Sequence, residues 1–387
     1  MFLSYPYRGR KTPNRILSMN RNEPAVLVLN SAQSKYPRGD DPWVRATVRA
    51  YEQLAGHEVT MVTSADPLMW SFGTFLAAGH GLRIRHVVPD YNPAQAAAAF
   101  DTTLSEFEIL PERAELEPMA TSRSLSRSDV WRMRDLTALQ AADVIYPVSI
   151  RPGGRLETLL RTEPLHADVR HGFRIDWHDS LLRRTPAYDL LNARLNPLPS
   201  GNWLVHWTRT SPGPWPGETK AAFFRDMLAR PSMYVRSARE TLVHILRERA
   251  IRASSWKIPG QVPVVSLTEN TPETAVTLMK WRKRFVRYTY EPYGIALHRE
   301  YLESIGAQRV IYSEHANTPD DGAWMYQSPG MFADWTRERE WRLAGDLSLG
   351  GLSGKDWFVV VPRKDDKDYV ESHCEGLTGR VFVLAGK

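Results

Sequence analysis

Cysteine is almost missing from this 387-residue chain, Cys374 being the single one. One thiol cannot close an intramolecular disulfide, and it excludes a cysteine-rich zinc site, so no metal is expected. A reducing, cytoplasmic setting is the expectation. No run of 18 apolar residues occurs, which excludes a helical span and a membrane partner. The opening residues, MFLSYPYRGRKTPNRILSMNRNEP, lack the apolar stretch of a secretory signal and read as a basic tail over residues 1–22. Lysine is also scarce, and arginine supplies most of the 50 cations that face 44 carboxylates. The resulting net charge of +6 permits a nucleotide or nucleic-acid partner without requiring one.

What is present is ordinary globular material, 42% apolar and long enough for two domains. AVLVLN (Ala25 to Asn30) is a continuous apolar run ended by a polar loop, the pattern of a buried parallel strand. Pro42 to Ala55 reads as a helix with Asp41 as N-cap and proline at its first position. A strand over His57 to Ser64, a helix over Asp66 to Gly81 and a strand over Leu82 to Pro89 follow. Residues 90–126 show no clear element: an alanine-rich segment, an acidic loop and a serine/arginine-rich loop. Ser128 to Ala142 reads as a helix and Asp143 to Ile150 as a strand. Arg151 to Thr162 runs from a glycine turn into a helix. This alternation predicts an α/β doubly wound sheet over residues 23–195.

The first half resembles the SLOG and lysine-decarboxylase-like group of Rossmann-type nucleotide-binding proteins. The resemblance rests on the first strand and its loop, on TSADPLMW, on Arg134-Asp135, and on Pro152-Gly153-Gly154 before Leu156-Glu157. It implies a nucleotide site drawn from Asn30, Ser64, Asp66, Arg134, Gly153, Gly154 and Glu157. In such a site the glycine turn cradles a phosphate, and Arg134 and Glu157 act on an N-glycosidic bond. Catalytic members carry a fuller PGGxGTxxE pattern, from which this chain departs at Arg155 and Leu156. A turn that merely joins strand to helix has the same appearance, and Asp66 serves equally as a helix cap.

Residues 196–387 alternate less and predict an α+β domain. Asn202 to Thr210 reads as a strand carrying His206, and Ser237 to Ile251 as a helix with a Ser237/Glu240 capping box. Pro263 to Asn270, Arg309 to Glu314, Trp357 to Pro362 and Arg380 to Gly386 read as strands. Lys283 to Leu302 reads as a strand and turn into a helix. Glu338-Arg339-Glu340-Trp341-Arg342 places two carboxylates, two guanidiniums and an indole in five positions. As a strand it presents Glu338, Glu340 and Arg342 on one face, and Arg339 and Trp341 on the other. A solvated charged edge has the same pattern. KWRKRFVRYTY (Lys280 to Tyr290) interleaves cations with aromatics, which suits phosphates and stacked bases. A half-exposed strand with Phe285 inside and arginines outside looks the same.

The order of these pieces resembles the ADP-ribosyltransferase-like fold, particularly the DarT-type DNA modifiers and the AbiGi-type phage-defence proteins. The carrying motifs are His-x-Thr on a strand, TLxxILxExxIRAS, VSLTEN, YGIALxRE, xVIYxE and ExEWR, over about Asn202 to Pro362. The resemblance implies NAD as substrate, held by His206, Thr208, Ser266, Arg284 and Tyr293. It makes Glu340 the catalytic carboxylate that stabilises the oxocarbenium-like sugar, with Glu338 orienting the acceptor. DNA or RNA is then an acceptor, and a toxin or phage-defence role follows by analogy. A non-catalytic nucleotide sensor, and an N-glycosidase working through the first domain, are the competing expectations. A monomer and a homo-oligomer stay equally open.

Overall fold

The computed structural model describes residues 23–90, 92–122, 124–178, 188, 190–313, 322–330 and 334–386. The expected basic tail over 1–22 lies outside them. The chain forms two compact units, one over Met1–Gln33, Gly39–Asp179 and Thr219–Arg225, the other over Ser34–Arg38, Ser180–Glu218 and Asp226–Lys387.

The first unit is mixed α/β. Its strands are β1 (Ala25–Asn30), β2 (Thr60–Ser64), β3 (Arg83–Asp90), β4 (Ala114–Ala120), β5 (Val144–Ser149) and β6 (Asp168–Val169). They form one parallel sheet in the order β4-β3-β2-β1-β5-β6, flanked by helices. The strand order turns back between β1 and β5, so the loops after these two strands diverge. Leu27, Leu29, Val62, Val87 and Ile145 fill the core, with Leu139 and Leu156 from helices packing on them. β1 is an unbroken apolar run because it is buried on both faces, whereas β3 carries the half-buried Arg83 and Arg85.

Two expectations need correction here. Residues 90–126 hold a helix, Pro93–Glu106, and the edge strand β4. Asn92 caps that helix through its side chain onto the Gln95 amide. Its alanines leave Ala96 and Thr103 as the buried members, which hides the amphipathic pattern. The helix expected from Asp66 starts at Leu68, with Pro67 and not Asp66 at the cap. Asp66 itself has φ +23 and precedes a cis proline bond.

The second unit is built on a seven-stranded sheet. Its order is Gln308–Arg309, Glu340–Ala344, Val264–Thr268, Trp203–Trp207, Gly294–His298, Trp357–Val361 and Val381–Val383. All neighbours are antiparallel except the last pair. Strand Trp357–Val361 shows why both faces close. Trp357, Val359 and Val361 join Leu242, Leu246, Ile295 and Leu343 on one side. Phe358 and Val360 join Val205, Trp207 and Ala296 on the other.

Helix Ala238–Glu248 is capped by Ser237, whose Oγ accepts from the Glu240 amide. The reciprocal half of the capping box is not made. The Glu240 carboxylate instead accepts from Arg230 (2.6 Å) and Tyr369 (2.6 Å). A helix over Lys364–His373 was not foreseen, because Val370 is its one buried residue.

Candidate functional site

A cleft of about 560 Å³ opens within the second unit, the size range of a nucleotide-class ligand site. His206, Thr208, Ser266, Glu338 and Glu340 all line it. His206 sits on strand Trp203–Trp207, opposite Ile295. Its Nδ1 lies 2.9 Å from the Ser266 carbonyl oxygen. A carbonyl can only accept, so Nδ1 carries the proton and Nε2 keeps its lone pair. Burial pushes the imidazole pKa down, which fixes the neutral form at neutral pH. The Thr208 hydroxyl faces the carbonyls of Ala238 (3.1 Å) and Tyr293 (3.0 Å), so it is spent on backbone. Gly294 pairs with Trp207, and a Cβ there would meet the His206 carbonyl oxygen at 2.7 Å and the Trp207 ring at 2.9 Å. The missing side chain is what lets Trp207 lie across the strand.

The two carboxylates reach the cleft by different routes. The strand begins only at Glu340, and Glu338 ends a 3-10 turn over Trp335–Glu338. Between them Arg339 is left-handed at φ +45. The expectation that Glu338, Glu340 and Arg342 alternate along one strand is therefore corrected for Glu338. The break is held by the neighbouring strand. Thr268 Oγ1 donates to the Glu338 carbonyl (2.6 Å), and Asn270 Nδ2 donates to the carbonyls of Arg337 (2.8 Å) and Glu338 (3.1 Å). On the far face Glu269 gathers Arg309, Arg339 and the Trp341 indole.

Glu340 and Glu338 are then chemically unlike. Arg342 is buried and donates to both oxygens of Glu340 at 2.9 Å. It also donates to the carbonyls of Trp324 and Tyr326 and to the Gln327 side chain. Glu340 is thus a locked, neutralised ion pair. The Glu338 carboxylate has no hydrogen bond or ion pair among the described residues. Burial first, and the Glu340 charge second, push its pKa up to about 7. A half-buried carboxyl that titrates near neutrality suits proton transfer.

Aromatic rings and cations complete the walls. Trp207 and Tyr290 stack with 9° between planes, and Arg282 lies 5.1 Å over Trp335. Arg209 is accessible from the cleft yet ringed by protein, and burial plus Arg287 lower its pKa to about 10.

Two expected contacts do not reach the cleft lining. Arg284 is exposed on the short 3-10 turn Lys283–Phe285, which a left-handed Val286 closes. Arg282 and Arg287 face each other across a hairpin and supply the cleft's cations instead. Tyr293 is buried on the opposite side, donating to Asp366 (2.9 Å) and edge-on to Tyr188. Arg209 and Trp256 went unread. Arg209 directly follows the His-x-Thr motif, which was the available signal, and Trp256 stood in an unpatterned loop.

The residues expected to bind a nucleotide in the first unit are mostly engaged within the fold, although Asn30 Oδ1 is buried without a hydrogen bond. Asn30 donates to Thr47 (3.0 Å), and Ser64 donates to the Val87 carbonyl (2.8 Å). The cavity beside Asn30 holds about 10 Å³, room for one water. Arg134 is buried, paired with Asp135 (2.6 Å), bonded to the Asp66 carbonyl and stacked on Trp70. The Asp66 carboxylate points to Lys220 at 3.7 Å. The Gly153 amide donates to Glu157 (2.7 Å) and the Gly154 amide to the Arg151 carbonyl (3.0 Å). Glu157 therefore occupies the helix N-terminus that a phosphate would use, and the cradle expected from Gly153 and Gly154 is closed by the chain itself.

No family model, curated protein or solved structure matches this chain. Among the described residues no helix is long and apolar enough to cross a membrane, and no three His, Cys, Asp or Glu side chains gather as a metal site.

Proposed function

We propose that the second unit transfers ADP-ribose from NAD, in the manner of the ADP-ribosyltransferase-like fold its motifs resemble. The observation that carries this reading is Glu338: a free, half-buried carboxyl with pKa near 7, in one cleft with a neutral His206 and a wall of rings and cations. In the reaction the C1′–N bond of the nicotinamide riboside breaks, and nicotinamide leaves with the bonding electrons. Positive charge grows on the sugar, and a carboxylate fixed in the cleft stabilises it. The acceptor's oxygen or nitrogen bonds to C1′, and its proton passes to Glu338. His206, with Nε2 free to accept, holds a ribose hydroxyl. Glu340, its charge shared with Arg342, fixes the strand end beside Glu338 and raises that group's pKa. This reading gives Glu338 both roles first divided between it and Glu340, and leaves Glu340 a positioning residue held by Arg342. When water is the acceptor, the same chemistry consumes NAD.

The first unit fits a Rossmann-like doubly wound sheet, and its SLOG-like resemblance makes it a nucleotide sensor. A sheet of this order takes ligands at the loops after β1 and β5, and a phosphate at the second of these would have to displace Glu157 from the Gly153 amide. An N-glycosidase in that unit has less support, because Arg134 and Glu157 are both bound within the fold. A non-catalytic nucleotide-binding protein is the second reading, and the full pairing of Glu340 with Arg342 favours it.

The deciding experiment is nicotinamide release from NAD by the full chain, with and without single-stranded DNA, across pH 5.5 to 9. The expected rate rises through pH 7 as Glu338 ionises and falls at least a hundredfold in Glu338→Gln. No release under any condition, from folded protein, sinks the catalytic reading and leaves the binding one.

A further inference from the structure

Trp256 stands at the cleft wall with 49% of its surface exposed. The Arg287 guanidinium lies 4.3 Å from its ring centroid, the Lys257 ammonium 4.7 Å and the Arg209 guanidinium 6.0 Å. Phe285 meets Trp256 edge-on at 6.0 Å, with Lys257 4.1 Å and Arg287 5.6 Å from its own centre. None of the three cations has an ion pair or a side-chain hydrogen bond among the described residues. Arg209 and Lys257 are exposed, whereas Arg287 is half-buried, and other arginines taken into the fold are paired: Arg134 with Asp135, Arg236 with Glu218, Arg342 with Glu340.

Arg209 and Arg287 repel each other beside the exposed indole, and the Glu291 and Glu338 charges offset only part of the effect on Arg209. Cation–π contacts offset part of it, but they leave the outward guanidinium edges without acceptors. Those edges form planar forks that match phosphate oxygens, and the open indole surface matches a base. A carboxylate ligand would satisfy the cations and waste the rings. An apolar ligand would use the rings and desolvate the charges.

We infer that Trp256, Phe285, Arg209, Lys257 and Arg287 form a nucleotide-phosphate site, with a base stacked on the indole and its phosphate held by the three cations. The inference deepens the proposed function and rests on it for the reaction alone, since the binding stands without catalysis. Arg209 ties the two, because its charge is felt by Glu338. The ligand chemistry has two sources, the adenosine diphosphate end of a dinucleotide or a single nucleic-acid strand.

The test uses the full chain, titrated separately with ADP by calorimetry and with a labelled single-stranded oligonucleotide of about 12 nucleotides by anisotropy, at two salt concentrations. Arg287→Ala and Trp256→Ala are each expected to weaken the ligand that binds by about tenfold or more. Arg287→Lys keeps the charge but loses the planar fork, so its affinity falls between wild type and Arg287→Ala, and a wild-type unfolding transition in each variant shows that the fold is intact. Binding of the oligonucleotide with a salt slope reduced by about one in Arg287→Ala names the strand as the source. Binding of ADP alone names the dinucleotide. If neither ligand binds, or binding ignores both alanine variants, the site is refuted. Binding without nicotinamide release overturns only the NAD chemistry, and release with binding indifferent to Arg287 and Trp256 overturns only this site.

Discussion

Replacing Glu338 with glutamine tests the electrostatics of the cleft without relying on any activity. A glutamate carboxyl at its ordinary 4.5 in the unfolded chain rises to about 7 in the fold. The sign follows directly. The native state holds the proton more tightly, so this group's contribution is fully present below pH 4.5 and is lost as pH rises through about 7. At about 1.4 kcal/mol per pH unit, wild type gives up roughly 1.4 kcal/mol by pH 5.5 and about 3 kcal/mol by pH 8.5. Water in the cleft screens the charge, so the second figure is an upper one. Glutamine keeps the shape and never ionises. Glu338→Gln should therefore be more stable than wild type, with a margin that grows between pH 5.5 and 8.5. Because the chain has two units, the margin is read from hydrogen exchange of the amides in Glu340–Ala344, which report opening of the second unit. A margin equal at both pH values, or a loss of stability at pH 8.5, would refute the claim that burial and Glu340 destabilise the ionised group.

Other perturbations follow from the same geometry. Arg342→Met strands the Glu340 carboxylate half-buried without a partner and should cost about 3–5 kcal/mol in denaturant unfolding, whereas Arg342→Met with Glu340→Leu should recover most of it. Gly294→Ala drives a methyl into the His206 carbonyl and the Trp207 ring, and a loss of about 1–3 kcal/mol is expected by chemical denaturation. Tyr293→Phe removes the bond to Asp366 and should cost about 1 kcal/mol while leaving the affinity for NAD unchanged by calorimetry. Arg284→Ala should change neither stability nor NAD affinity, in contrast to Arg287→Ala, and an equal effect of the two would contradict the hairpin geometry.

The sequence by itself determined the elements whose period is local. The apolar run of β1 and the strand–helix alternation after it marked buried strands, and Pro42 and Ser237 marked helix starts because proline lacks the N–H that would go unpaired there and serine accepts one. Most of the second unit's strands were legible for the same reason, although the strand expected over Arg309 to Glu314 divides into Gln308–Arg309 and Ile311–Tyr312 in different sheets, whereas His206, Ser266, Glu338 and Glu340 became candidates through a family resemblance. Tertiary structure decided what each candidate does. Arg342 lies only two residues from Glu340, yet nothing local says that it will be buried by Trp324, Tyr326 and Gln327 and so neutralise that carboxylate. Glu338 was freed by a left-handed Arg339 that Thr268 and Asn270 hold from another strand. The Gly153 and Gly154 amides looked like a phosphate cradle until Glu157 folded back onto one and the Arg151 carbonyl took the other. Charge and hydrogen-bonding capacity are written in the residues. Whether they are spent inside the fold or left for a ligand depends on partners that only the packed chain brings within 3 Å.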